Sequence, residues 1–266
     1  MKIKEVLAAT AMTVWSGMAC AAFVTTFGQN KSTDSLYPLT FYPEAVTARD
    51  NFLGGGAPNF FDFEAPEVAV GATTLSVNLG GVVATLSGAG GVKRNDTGVT
   101  NSGLYSVSGV IDPDPSPQGN KYWEAIAPKN GVSGFKLDFD RAVQSFGFFA
   151  TDVGESSGLL TLELTLMDNR KVMIQPGGAG VVLDGEPVLG DGAAGSVLFF
   201  GVKSIADEYF KSVRFISSGG TADDPFGFDM FTVVAAPSGP NPTPLPGSLA
   251  LVGAALGGLA LVRRRR

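Results

Sequence analysis

Histidine is absent from the 266 residues, and cysteine occurs once, at Cys20. Without an imidazole the chain has no Ser-His-Asp or Cys-His machinery, no histidine-ligated zinc or haem and no histidine pH switch. A thiol nucleophile and a thiolate-ligated metal are excluded as well once Cys20 leaves with a cleaved leader. The G-x-S-x-G, G-x-x-x-x-G-K-[ST] and H-E-x-x-H patterns are also missing. Charge is scarce, at 17% of residues, whereas there are 36 glycines and 16 prolines and 44% of the chain is hydrophobic. That balance describes a glycine-rich β protein more than a helical one.

Both ends are built as addresses. The start, MKIKEVLAATAMTVWSGMACAAF, places Lys2 and Lys4 before an apolar stretch from Val6 to Met18 and then small residues. This order predicts a secretory signal peptide over residues 1–22, with cleavage beside Ala21 and Ala22. The other end carries a Pro-rich spacer (237–246), an apolar run (247–262) and the cluster Arg263, Arg264, Arg265 and Arg266. As a helix the run would measure ~24 Å, short of a ~30 Å hydrocarbon core, so flanking residues or local thinning would have to complete a span. Terminal arginines stay on the cytoplasmic side, which places residues 23–236 outside as one exported domain.

A signal peptide, a proline-rich spacer, a short Gly/Leu/Ala run and terminal arginines together resemble the PEP-CTERM sorting signal of Gram-negative bacteria. The matching stretch is Pro244 to Arg266, with Pro244, Leu245 and Pro246 where the family has Pro-Glu-Pro. The resemblance implies an exosortase-type membrane enzyme as processing partner, an inner-membrane-inserted precursor, and a final place at the cell surface or in the extracellular polysaccharide matrix. Leu245 departs from the family's glutamate, which bears on processing rather than export. A plain C-terminal membrane anchor begins as the same inserted helix.

Between residues 23 and 240 there are thirteen basic and twenty-four acidic residues, a net charge of −11. Such a surface repels nucleic acid, and no basic patch offsets it. Period-two alternation is the main signal of fold. Leu160, Leu162, Leu164 and Leu166 alternate with Thr161, Glu163 and Thr165, and Asp168-Asn169 can turn the chain back through Arg170 to Gln175. GFKLDFD sets Phe135, Leu137 and Phe139 opposite Lys136, Asp138 and Asp140, and VQSFGFFATD sets Phe146, Phe148 and Ala150 on one side. Further strands are expected in NFFDFEA, TTLSVNL, VVATLSG, GLYSVSG, SVLFFGV, YFKSVRFIS and FGFDMFTVV. No segment shows a helical period, and Phe27 to Leu53 reads as a long loop or insertion. The fold expected is all-β: an antiparallel jelly-roll-like β-sandwich whose many phenylalanines pack between two sheets.

Carboxylates set among aromatics are the candidate metal ligands. Asp62 and Glu64 in FFDFE share a face by period two, and Asp229 lies among Phe226, Phe228 and Phe231. An ionised carboxylate there needs a positive partner or several donors, and Ca²⁺, which takes six to eight oxygens, would serve. These first and last strands resemble the galactose-binding-like jelly rolls of carbohydrate-binding modules, which implies paired termini and a structural calcium. Outward alternation into solvent explains the same residues without a metal. Trp123 and Tyr122 form the candidate ligand-binding pair for a sugar ring, with burial of the tryptophan as the competing role. Asp112 to Asn120 alternates oxygens with prolines and reads as an exposed loop. The function these readings support is a non-enzymatic, surface-sorted protein that binds glycan or protein. The competing class is a secreted glycan-active enzyme using two carboxylates.

Overall fold

The computed structural model describes residues 23–31, 41–55, 60–94, 121–153, 159–175, 196–205, 208–218 and 223–237. Among these, twelve strands and one helix follow one another as β1 (Phe23–Asn30), α1 (Pro43–Leu53), β2 (Phe60–Phe61), β3 (Thr74–Leu79), β4 (Val82–Gly88), β5 (Gly91–Arg94), β6 (Lys121–Ala127), β7 (Val132–Thr151), β8 (Leu159–Leu166), β9 (Lys171–Ile174), β10 (Val197–Ser204), β11 (Phe210–Ser218) and β12 (Asp224–Ala235). The leader with Ala21 and Ala22, the tail with Pro244, Leu245, Pro246 and Arg263 to Arg266, GLYSVSG, and Asp112 to Asn120 all lie outside the described residues. Among the described residues no helix is long and apolar enough to cross a membrane.

Strand β7 organises the molecule. Its first half pairs with β4 and β11, and its second half pairs with β10 and β12. The two stretches read separately from sequence are therefore one twenty-residue strand. One layer runs β3-β4-β7-β11-β8-β9 and the other β5-β6-β12-β7-β10-β1, all neighbours antiparallel, with β2 adding to β12. The hairpins close as turn chemistry requires. Gly80 and Gly81 both adopt positive φ between β3 and β4, and Asn169 does so between β8 and β9.

Alternation decides what lies between the layers. Leu160, Leu162, Leu164 and Leu166 are buried, as are Phe135, Leu137 and Phe139. Phe215 of β11 stacks on Phe135 at 4.3 Å and meets Phe228 of β12 edge-on at 5.0 Å, so rings from both layers interlock. Each such ring contributes about 1.5–3 kcal/mol by leaving water.

The second half of β7 is buried on both faces: Phe146, Phe148 and Ala150 point inward, while Phe149 joins Tyr42, Ala45, Ala48, Val197, Phe199 and Met230 in a second cluster. Helix α1 covers that outer face. Phe27 to Leu53, expected as a long loop or insertion, thus holds the end of β1 and helix α1. No helical period shows because the buried positions include two alanines, Ala45 and Ala48, beside polar neighbours. The start of the helix is capped from a distance, since Asn30 Oδ1 accepts the backbone N–H of Glu44 at 2.9 Å and of Ala45 at 3.1 Å. Three glycines make room for it. A Cβ on Gly28 would stand 2.8 Å from Ala48 Cβ, and one on Gly201 or Gly147 would press into the rings of Phe52 or Phe199.

Val24, Lys203, Ser145 and Val234 align in one row across β1, β10, β7 and β12. The first and last described strands thus begin and end at the same end of the layer, three strand spacings or ~14 Å apart.

Candidate functional site

Helix α1 lies on the outer face of one layer, and the outer face of the other is an array of side chains set by register, polar except for Met173 in the two rows that follow. One row runs Ser76, Thr85, Asp138, Ser212, Thr165, Lys171 across six strands. The next runs Thr74, Ser87, Lys136, Arg214, Glu163, Met173. All twelve are exposed or half-exposed, while their strand neighbours point into the core. Five strand spacings make the array ~24 Å wide.

Its charges are tied down within the sheet. Lys136 Nζ lies 2.6 Å from Asp138 Oδ2, and Lys171 Nζ lies 2.9 Å from Glu163 Oε1. Arg214 stands in register between Lys136 and Glu163. With three basic and two acidic side chains in the two rows, the face is close to neutral on a strongly acidic domain. Hydroxyls, carboxylates and cations at fixed spacing form a hydrogen-bonding surface for a polyhydroxylated ligand. The outward-facing residues of β7 and β8 were legible in sequence. Their alignment into rows was not, because register depends on partners up to 78 residues apart, as for Lys136 and Arg214.

A second concavity, about 370 Å³, lies between the edge of β1 and α1, lined by Thr26, Phe27, Gly28, Glu44, Thr47 and Asn51 among others.

The residues singled out in the sequence are placed differently. Trp123 is fully buried, 5.5 Å from the Phe135 ring, and Tyr122 is 3% exposed. Neither presents a face to a sugar, which corrects the stacking role: the start of β6, Lys121 to Trp123, is buried on both faces, so the pair belongs to the interior. Burial, with the nearby Glu124 carboxylate, holds the Tyr122 hydroxyl well above its usual range. The Trp123 indole N–H has no hydrogen-bond partner among the described residues.

The three carboxylates are not one cluster. Asp62 and Glu64 do not share a strand face, because β2 ends at Phe61 and Phe63 takes a left-handed φ of 62° with its ring fully buried. Asp62 Oδ1 accepts the Glu64 backbone N–H at 3.1 Å, and Glu64 Oε1 accepts that of Lys121 at 2.6 Å. Asp229 is fully buried, paired in register with Phe149, and its Oδ1 accepts the Met230 N–H at 2.7 Å. Burial first, and then the Asp229 carboxylate, raise the Tyr42 hydroxyl well above its ordinary value. Among the described residues no group of three acidic, histidine or cysteine side chains is placed to hold a metal. The expected pairing of the first aromatic strand with the last is present, as Phe61 faces Phe231 and Phe60 faces Thr232.

No family model matches the chain, and no curated protein matches it. Solved structures similar to part of it include two carbohydrate-binding proteins. One is TmCBM61 in complex with β-1,4-galactotriose, 17% identical, covering 57% of this chain and 88% of that one, with a TM-score of 0.29. The other is a family 11 carbohydrate-binding module from Clostridium thermocellum in complex with a β-1,3-1,4-mixed-linked tetrasaccharide, 11% identical, covering 68% and 98%, with a TM-score of 0.30.

Proposed function

We propose that this is an exported surface protein whose jelly-roll-like sandwich binds a neutral polysaccharide on the open polar face. The observation that carries the reading is the asymmetry of the two layers. One outer face is closed by α1 over an apolar cluster, and the other holds Thr85, Asp138, Ser212, Thr165, Lys136, Arg214 and Glu163 in register. Their groups match the alternating donors and acceptors of sugar hydroxyls, and each good hydrogen bond contributes about 0.5–1.5 kcal/mol net. Affinity is then modest per contact and gained by length of chain engaged. The domain's net charge of −11 disfavours strongly acidic polymers. Delivery follows the ends of the sequence: the leader starts export, the C-terminal run arrests in the inner membrane, and an exosortase-type enzyme or the anchor itself fixes the protein at the surface.

Affinity electrophoresis through gels containing neutral or acidic polysaccharides tests this. The protein is expected to be retarded by at least one neutral polymer, and Asp138→Ala with Arg214→Ala to abolish most of the retardation while leaving the melting temperature within about 3 °C. Free mobility in every neutral gel, or release of reducing ends from the polymer, refutes binding without turnover.

A further inference from the structure

Lys121 opens β6 with its side chain turned inward, and the residue is only 7% exposed. An ammonium in that position is costly unless oxygens surround it. The chain supplies them from one short loop. Lys121 Nζ donates to the carbonyl oxygens of Ala65 at 3.2 Å and Val68 at 3.0 Å. Its own backbone N–H donates to Glu64 Oε1, and Glu64 in turn is held by Asp62 Oδ1. The loop is tightened by the Val68 N–H donating to the Ala65 carbonyl at 3.0 Å.

Two backbone carbonyls converging on one point from a single turn offer the hard oxygens that cations take, and the Glu64 carboxylate beside them holds the Lys121 backbone in place. An ammonium asks for the same oxygens at hydrogen-bond distance. We infer that the turn Ala65 to Val68 is a cation-binding turn whose resident cation is the Lys121 ammonium, held by backbone carbonyls, while Asp62 and Glu64 brace the loop and the start of β6 instead of ligating a metal. Its work is to close one edge of the sandwich. Phe63 and Val68, both buried, enter the core from this loop, and the Phe63 ring lies 5.5 Å from Phe231 and 4.8 Å from Phe61. A cation carried on the chain cannot be removed by a chelator. Once truncated, the site keeps the space and the carbonyl acceptors for a primary alkylammonium ion.

The test uses the mature protein. Lys121→Met keeps the apolar stem and removes the charge, and is expected to lower the melting temperature by ~5 °C or more. In Lys121→Ala, propylammonium chloride should restore part of the loss saturably, and tetramethylammonium chloride, which has no N–H, should not. In the unaltered protein, Lys121 should resist amine acylation under conditions that label the exposed Lys136 and Lys171, a readout that needs no variant. The inference is overturned by a Lys121→Met protein that melts like the parent, by equal effects of the two ammonium salts, by acylation of Lys121 at the rate of the exposed lysines, or by calcium stabilisation of the parent that Glu64→Gln abolishes.

Discussion

The contact between α1 and its sheet makes a quantitative prediction at Gly201. A methyl group there would stand 2.8 Å from Phe52 Cε2, and Phe52 has little room to yield, because its ring lies 5.6 Å from that of Phe199 and also covers Gly147. Overpacking of this kind costs about 1–3 kcal/mol, and the loss of glycine's freedom in the unfolded chain returns about 0.4–1 kcal/mol. Gly201→Ala should therefore destabilise by ~1–2 kcal/mol, a fall of ~3–6 °C for a domain of this size. Phe52→Ala removes a half-buried ring and should cost ~2 kcal/mol by itself. In the double variant the clash has no partner, so Gly201→Ala should become neutral there, giving a coupling of at least ~1 kcal/mol. Urea unfolding followed by the fluorescence of Trp123 measures all four corners of the cycle. Effects that add to within about 0.5 kcal/mol would show that Phe52 does not rest on Gly201, and the account of how the helix is held would fail.

Two further outcomes follow from the same region. Asn30→Ala removes the acceptor for the first helical N–H groups and should cost ~1 kcal/mol, with faster hydrogen exchange at Glu44 and Ala45; unchanged exchange there would contradict capping across the strand–helix gap. Tyr42 and Tyr122 keep their protons in the fold at pH values where an unfolded tyrosine, with a pKa of about 10, gives its proton up. Stability is therefore intact below about pH 10 and falls as pH rises beyond it. Tyrosinate absorbance from these two residues should appear only together with unfolding, and a titration that completes in the folded state would refute their burial.

Side chains that alternate were legible and side chains that meet were not. Leu160 to Leu166 fixes its buried face by period two alone, and the β8–β9 hairpin adds a turn whose Asn169 has the backbone it favours. Helix α1 escaped because its cap, Asn30, lies fourteen residues before Glu44, and its buried face uses alanine, which carries little hydrophobic signal. Period two pairs Asp62 with Glu64 only while a strand continues, and the left-handed Phe63 breaks it. Lys121 and Trp123 lie where β6 is buried on both faces, Lys121 beneath the distant turn at Ala65 and Val68, and no local pattern announces that cover. The polar rows of the open face share that dependence on distant partners.

The shared strand β7 also decides how the molecule carries load. Tension applied between the polar face and the chain beyond Pro237 enters through one layer and leaves through the other, and β7 is the covalent beam common to both. At the exit, β12 is an inner strand, flanked by β7 on one side and by β6 and β2 on the other. Drawn lengthwise, it must shear many cross-strand bonds together instead of unzipping them one by one, so β12 resists a pull along its own axis.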